Sequence, residues 1–276
     1  MRMASLKVVC SCLSILLAFC FAPQAGAQGS LLVETLPIEL SGKTRNVDVY
    51  RDANATPAGV AVIAHGFTRS RARHRDLGRA LAAAGVVAVI PDLPYIVNLW
   101  GNGDAVAELV RKLEEGALGM ASVDRAQVVL IGTSAGGLAT VLAGAQLPGI
   151  AGWIGLDPVD RTGTGAHAAT QFTSPAIVLM AEPTGCNLFG SGRRIARSVP
   201  GLLRTSIIHG ASHCDFESPT NNMCRAMCGP SSSDMEAVVR NETVMSALEL
   251  LGMMESPGIP GYSVPEGVTG PGSDVE

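Results

Sequence analysis

The sequence predicts an α/β fold with a mostly parallel central sheet and helices on both faces. Short runs of β-branched and other apolar residues alternate with helical periods along the chain, and parallel strands require crossover connections of that kind. Residues 128–146 add a second observation, because they predict a buried strand, a sharp glycine-flanked turn and a helix in direct succession. A polar loop follows each strand candidate and is expected at the carboxyl edge of the sheet, where open α/β folds build their sites.

The elements follow in order after a loose N-terminal segment. Residues 46–50 alternate as a half-exposed strand, and Gly85 is expected to cap a helix that ends at Ala84. Further strands are expected at residues 60–64, 86–90, 127–131, 150–156, 176–180 and 203–208. Helices are expected at residues 71–84, 103–116, 138–146 and 231–251. The sequence shows no internal repeat and predicts no second domain.

The start of the chain has the pattern of a signal peptide. Arg2 and Lys7 precede an apolar run at residues 8–22, and a small-residue cleavage pattern ends at Ala27. Residues 1–27 are therefore expected to be removed on export. The mature protein is predicted to be secreted or periplasmic, with no stable membrane anchor.

One α/β domain is expected at residues 28–254. Residues 255–276 are rich in glycine and proline without apolar periodicity, and they are predicted to be a disordered tail. The chain has 20 Lys and Arg residues against 24 Asp and Glu residues. This mildly acidic balance with scattered cations gives no signal for nucleic-acid binding.

The sharp turn at residues 132–136 is the centre of the predicted site. Its sequence Gly-Thr-Ser-Ala-Gly has the G-x-S-x-G pattern between a strand and a helix, which is the context of a nucleophile elbow. Glycines are expected at both flanks because a Cβ there would collide with neighbouring backbone. Ser134 is therefore the candidate nucleophile, in a strained conformation at the apex. The alternative is a glycine-rich loop without chemistry.

A serine nucleophile needs a base that removes its proton, and the chain has five histidines. His213 lies in a polar loop between the last strand and the last helix, and it follows the serine and the acid in the chain order that accompanies such elbows. His213 is the predicted base, and His209 is the alternative. His74 is expected to be a solvated residue at the Arg-rich start of a helix.

Two carboxylates compete to orient the base. Asp157 directly follows the strand at residues 150–156, whereas Glu182 follows the next strand, the more usual place for the acid in this architecture. Asp157 is preferred because it leaves a buried strand end, is braced by a proline and has the shorter side chain. The predicted catalytic residues are therefore Ser134, His213 and Asp157.

Two backbone N–H groups are expected to form an oxyanion hole. Ala135 follows the nucleophile, and Phe67 lies on the loop after the strand at residues 60–64. The Phe67 ring is also expected to wall the acyl pocket. An apolar cluster at residues 95–100 predicts either a second wall or a core patch under a loop. Only about residues 158–174 lie between the strand at residues 150–156 and the next helix, so an open cleft without a large lid domain is expected.

The four cysteines outside the predicted signal peptide are Cys186, Cys214, Cys224 and Cys228. An even number in an oxidising compartment predicts two disulfides, with three pairings open. At least one bridge is expected beside His213, and a bridge from Cys186 would tie two carboxyl-edge loops together. A zinc site that uses these cysteines with His213 is the alternative, although no paired C-x-x-C signature supports it.

These motifs together resemble the α/β-hydrolase superfamily over nearly the whole domain. The segment from Gly155 to Val159 is similar to the G-[LIV]-D-P-V motif of chlorophyllases, and pancreatic-type lipases place their acid in a comparable Leu-Asp-Pro context. The segment from His65 to Thr68 is similar to the oxyanion loop of bacterial cutinases and polyester hydrolases. The resemblance implies an α/β-hydrolase fold and a serine esterase with Asp157 as its acid. Thr133 and Ala135 replace the His and Arg of the plant chlorophyllase elbow, which argues against chlorophyll as the substrate.

The sequence thus predicts a secreted serine hydrolase that cleaves carboxylic esters through an acyl-enzyme intermediate, without a cofactor or a metal. A small-molecule or polymeric ester is the expected substrate, and a monomer is the expected state. A peptidase or amidase on the same fold is one alternative, because such a triad does not distinguish esters from amides. A catalytically silent binding module is another, and the complete set of serine, acid and histidine argues against it.

Overall fold

An eight-stranded sheet runs through the computed structural model, which describes residues 30–254. The strands are β1 (Leu31–Leu40), β2 (Lys43–Asp52), β3 (Gly59–Ala64), β4 (Val86–Pro91), β5 (Val128–Thr133), β6 (Gly152–Leu156), β7 (Ala176–Met180) and β8 (Leu202–Ile207). They lie in the order β1-β2-β4-β3-β5-β6-β7-β8. The β1–β2 and β2–β4 pairs are antiparallel, and the other neighbouring pairs are parallel.

The described residues also form α-helices that cover both faces of the sheet. The helices are α1 (Arg75–Ala83), α2 (Leu99–Glu114), α3 (Ala135–Gly144), α4 (Thr164–Ala169), α5 (Gly192–Ser198), α6 (Asn222–Cys228) and α7 (Ser233–Leu250). Alternate residues of β3 face opposite apolar layers: Val62 packs with the layer that contains α2 to α5, and Ile63 packs with the layer that contains α1 and α7. The predicted α/β fold with a mostly parallel sheet is therefore confirmed.

The N-terminal segment is a ten-residue edge strand and not the loose segment that the sequence predicts. β1 pairs with β2 along its whole length, from Leu31 opposite Asp52 to Leu40 opposite Lys43. A proline within the segment weakens the strand signal, but an edge strand tolerates proline because one side of it needs no partner. A positive-φ turn at Ser41 and Gly42 closes the hairpin.

Several helix predictions differ in extent from the structure. α2 begins at Leu99 instead of residue 103, because the Asn98 side chain accepts the Gly101 N–H and caps the helix. α3 begins directly at Ala135, so the helix starts one residue after the predicted nucleophile. The short helices α4, α5 and α6 were not predicted, since one or two turns carry little periodic signal.

The sheet brings the loops after β3, β5, β6, β7 and β8 to one edge. No large lid domain covers that edge within residues 30–254, in agreement with the prediction. None of the helices in this range is both long and apolar enough to cross a membrane. The predicted signal peptide at residues 1–27 and the predicted tail at residues 255–276 lie outside the described residues.

Candidate active site

Ser134 lies in the turn between β5 and α3, at the carboxyl edge of the sheet. Its φ is 56° and its ψ is −121°, a combination that residues with a Cβ rarely adopt. Its N–H donates to the Leu156 carbonyl at 3.0 Å, and its own carbonyl accepts from the Val159 N–H at 3.1 Å. These two bonds tie the strained turn to the end of β6, and Ser134 lines an open cleft.

The two glycines of the turn are required by close backbone approach. A Cβ on Gly132 would lie 2.3 Å from the Gly136 carbonyl oxygen, and a Cβ on Gly136 would lie 2.2 Å from the carbonyl oxygen of Ala64 at the end of β3. Neither neighbour can yield, because each is backbone held in a strand or a helix. The predicted reason for the G-x-S-x-G pattern is confirmed.

The fold brings Ser134, His213 and Asp157 into one hydrogen-bonded chain. His213 Nε2 lies 3.0 Å from Ser134 Oγ, and His213 Nδ1 lies 2.6 Å from Asp157 Oδ2. Asp157 is fully buried, and His213 is 9% exposed. Because the carboxylate can only accept, Nδ1 carries the proton in this arrangement and Nε2 faces the serine hydroxyl as an acceptor.

The alternative base and the alternative acid contact each other instead. His209 Nδ1 lies 3.3 Å from Glu182 Oε1, and the two side chains are 84% and 59% exposed. Neither residue lines the cleft that contains Ser134. The shorter acid at the end of β6 is therefore the one that contacts His213.

Asn187 holds the buried carboxylate, and sequence reasoning missed it. The fully buried Asn187 donates from Nδ2 to both carboxylate oxygens of Asp157 at 3.2 Å and to the Glu182 carbonyl at 3.0 Å. Its Oδ1 accepts the N–H groups of Thr184 and Gly190, each at 2.9 Å. Asp157 thus receives an amide donor whose own orientation is fixed by the loop after β7.

Asp215 stabilises the loop that carries His213. One carboxylate oxygen accepts from the Ser212 N–H at 2.7 Å and from the Ser212 hydroxyl at 2.8 Å. The other accepts from the N–H of Ser232, the N-cap residue of α7, at 3.0 Å. The base loop is therefore anchored to the final helix through one buried carboxylate.

Both predicted disulfides form, as Cys186–Cys228 and Cys214–Cys224. The Cys214–Cys224 bridge joins the residue after His213 to α6. The Cys186–Cys228 bridge joins the residue before Asn187 to the end of α6. The sulfur atoms of Cys214, Cys224 and Cys228 lie within 4.8 Å of one another. Zinc needs free thiolates, so the disulfide-bonded cysteines do not fit the zinc alternative.

Ala135 and Phe67, the two residues of the predicted oxyanion hole, each have a backbone N–H group without a protein acceptor in the described part of the chain. Among residues 30–254, the amides of Ala135 and Phe67 donate to no backbone or side-chain acceptor. Both residues line the cleft with Ser134, and an added Cβ on Gly66 would lie 3.3 Å from Ser134 Cβ. An oxyanion hole requires free N–H donors next to the nucleophile, and these two amides meet that requirement.

Buried contacts hold the Phe67 turn on both sides. On one side, Arg69 forms a two-pronged ion pair with Glu217, just beyond the base loop, and donates to Asn221 Oδ1 at 2.8 Å. On the other side, His65 donates from Nδ1 to the Gly66 carbonyl and accepts the Leu93 N–H at Nε2. Burial lowers the pKa of His65, which agrees with a neutral ring that both donates and accepts.

His74 is buried, so the prediction of a solvated surface residue is wrong. It is 1% exposed, and neither ring nitrogen has a hydrogen-bond partner within the described part of the chain. The Ser218 backbone bonds to Arg73 and to Asp76, which precede and follow His74 in the sequence. Burial lowers the pKa of His74 from its ordinary value of 6.5 to about 3, and nearby His65, Arg73 and Arg69 act in the same direction.

The cleft above Ser134 has a volume of about 540 Å³ and mainly apolar walls. Of the predicted apolar cluster at residues 95–100, Ile96, Val97 and Leu99 line the cleft, so the cluster does form a wall. Two arginines line the cleft. Arg69 is paired with Glu217, whereas Arg161 is exposed to solvent. A cleft of this size and polarity suits a ligand with a substantial apolar part.

Comparisons with known proteins find similarity in the fold but not in the sequence. No protein-family model and no curated protein matches the sequence. A dienelactone hydrolase from Anabaena variabilis superposes with a TM-score of 0.62 at 16% identity, over 78% of this chain and 96% of that one. An esterase from the fungus Rhizomucor miehei superposes with a TM-score of 0.60 at 13% identity, over 82% of this chain and 85% of that one. With its sheet order and its strand–turn–helix elbow, the chain has the α/β-hydrolase fold.

Proposed function

We propose that this protein is a serine hydrolase that cleaves carboxylic esters through an acyl-enzyme intermediate. The observation that carries the proposal is the continuous chain from Ser134 Oγ through His213 to the buried Asp157, with heavy-atom distances of 3.0 and 2.6 Å. Two structural neighbours are described as a dienelactone hydrolase and an esterase, and both descriptions agree with ester chemistry.

The proposed reaction uses each group at a stated atom. Ser134 Oγ attacks the ester carbonyl while His213 Nε2 takes its proton, and Asp157 stabilises the resulting imidazolium. The N–H groups of Phe67 and Ala135 donate to the oxyanion of the tetrahedral intermediate, each worth about 3 kcal/mol of barrier in comparable sites. His213 then protonates the leaving alcohol, and a water molecule activated by the same nitrogen releases the acid.

A catalytically silent module would need none of this arrangement. It would have no reason to hold Ser134 at a positive φ or to leave two amides unpaired beside it. Backbone strain of this kind costs on the order of 1–3 kcal/mol and persists where function requires it. The strain and the free donors therefore favour catalysis over binding alone.

We further propose that the protein is secreted or periplasmic and uses no cofactor or metal. The two disulfides support this location, because disulfides persist in oxidising compartments. The apolar cleft supports esters with a sizeable apolar group over small polar esters.

Substitution of the two candidate acids tests the proposed mechanism. Asp157→Asn is expected to lower kcat for p-nitrophenyl butyrate by about 10⁴-fold, because the amide favours the wrong histidine tautomer. Glu182→Gln is the matched control and is expected to stay near the parent value, since the Glu182 side chain is exposed and, among residues 30–254, bonds only to His209. The reverse ranking would contradict the assignment of the acid. Hydrolysis of anilides at rates comparable with esters would instead support the amidase alternative.

A further inference from the structure

The short helix α6 is held at two points by disulfides. Cys224 is bridged to Cys214, the neighbour of His213, and Cys228 is bridged to Cys186, the neighbour of Asn187. The Asn221 side chain caps the helix by accepting the Cys224 N–H, and it also accepts from Arg69. α6 is therefore fixed to the base loop, to the loop that supports the acid and to the oxyanion turn.

This helix presents two methionines to the cleft. Met223 and Met227 are four residues apart, so they lie on one face of the helix. They are 46% and 76% exposed, and both line the cleft with Ser134. Cys186, Cys224 and Cys228 line the same cleft, so sulfur-bearing side chains form much of this wall.

Aromatic and aliphatic residues line the same cleft. Phe67, Ile96 and Leu99 line it, and the Phe67 and Ile96 side chains are exposed. Phe67 is also the residue whose N–H is proposed to hold the oxyanion. The cleft around Ser134 therefore offers an ester both aromatic or aliphatic side chains and sulfur-bearing side chains to contact.

We propose that the sulfur wall of α6 is an aryl-binding subsite, so that esters with an aromatic ring are the preferred substrates. The proposal rests on the ester hydrolysis proposed above and names its substrate class. Thioether sulfur is polarizable and makes favourable contacts with aromatic rings that a saturated ring of similar size does not receive. Because two disulfides fix the helix, the methionine side chains adapt to the ring while the backbone behind them stays in place.

The test compares matched aromatic and saturated esters. Ethyl phenylacetate is compared with ethyl cyclohexylacetate on the acyl side, and benzyl acetate with cyclohexylmethyl acetate on the alcohol side. The methylene group insulates the ester from the ring, so each pair differs mainly in the ring itself. The parent protein is expected to hydrolyse the aromatic member of at least one pair with a kcat/KM about 2- to 10-fold higher.

Leucine variants separate sulfur from apolar volume. Met223→Leu and Met227→Leu keep similar volume and are expected to bring the aromatic-to-saturated ratio of kcat/KM close to one. Met245→Leu is the matched control, because Met245 on α7 is 45% exposed, as Met223 is 46% exposed, but does not line the cleft. The control is expected to keep the parent ratio.

Inhibitor binding supplies a second readout that needs no turnover of these esters. The inhibition constants of benzylboronic acid and cyclohexylmethylboronic acid, in which boron takes the place of the acyl carbon, are measured against ethyl acetate and are expected to follow the acyl-side ratio in every variant. Equal rates for both pairs in the parent protein, or an aromatic preference that survives both leucine substitutions, would overturn the subsite and leave ester hydrolysis standing. Failure of the parent protein to hydrolyse any ester would overturn the proposed function itself.

Discussion

Replacement of Asn187 by alanine is expected to lower kcat for ester hydrolysis about 10- to 100-fold with little change in KM. The fully buried side chain donates to both oxygens of Asp157 at 3.2 Å and lies behind the carboxylate, away from the cleft. A hydrogen bond to a charged group contributes roughly 1.5–3 kcal/mol. If the imidazolium loses that much support in the transition state, the rate falls by the stated factor.

The loss is expected to stay below that of Asp157→Asn. In the alanine variant Asp157 still accepts the Ala181 N–H at 3.2 Å and still contacts His213. The charge and the histidine tautomer are therefore kept, and only the orientation of the carboxylate is loosened.

A charge variant distinguishes positioning from general destabilisation. Asn187→Asp keeps the shape of the side chain but places a second carboxylate beside Asp157. Repulsion between two carboxylates in one site raises the pKa of one of them. The acid limb of the kcat/KM profile is therefore expected to move to higher pH, an effect that loss of packing alone does not produce.

The assay is steady-state hydrolysis of p-nitrophenyl butyrate across pH, well below the melting temperature of each variant. Asn102→Ala is the matched control, because Asn102 is 3% exposed and its side chain bonds only to the Tyr95 backbone within the described part of the chain. It is expected to lower Tm but to leave kcat close to the parent value. An Asn187→Ala kcat within twofold of the parent, or equal losses in both alanine variants, would refute the reasoning.

Two further predictions concern stability. The pKa of His74 is about 3 in the folded chain against its ordinary value of 6.5. The unfolded chain therefore binds a proton at His74 more readily, and the free energy of unfolding falls as the pH falls from 6.5 towards 3. Protonation of this group is expected to lower the free energy of unfolding by about 2 kcal/mol between pH 7 and 5. Urea titrations of His74→Leu are expected to lack that decrease. The same pH dependence in His74→Leu and in the parent protein would contradict a buried neutral ring. Reduction of the two disulfides is expected to lower Tm and esterase activity together, because a bridge around a loop of about ten residues contributes on the order of 2–3 kcal/mol and both bridges adjoin the catalytic loops. Full activity in protein whose four thiols stay reduced throughout the assay would show that the bridges do not position His213.

The parts of the fold and site that could be predicted have local causes. The buried strands, the glycines around Ser134 and the polar loop at His213 each follow from a few neighbouring residues, and the structure agrees on where those segments lie. Asp157 could be ranked above Glu182 because it leaves a buried strand end, precedes a proline and has the shorter side chain.

The parts that were missed depend on contacts between distant segments. Asn187 is one amide in an irregular loop, and only folding brings it to a carboxylate 30 positions earlier. His74 has arginines on both sides, so its local sequence indicates solvent, yet it is buried where the Ser218 backbone bonds to Arg73 and Asp76. The disulfide pairing was equally open, since four cysteines in loops allow three pairings until the loops are placed.

The central claim is that Ser134 becomes acylated because His213 and Asp157 activate it. Intact-mass and peptide spectrometry after incubation with a fluorophosphonate tests this claim most directly. We predict one adduct per chain, on the peptide that contains Ser134, with no adduct in Ser134→Ala and much slower labelling in His213→Gln. Folded protein that stays unlabelled, or that carries its adduct on another residue, would contradict the account.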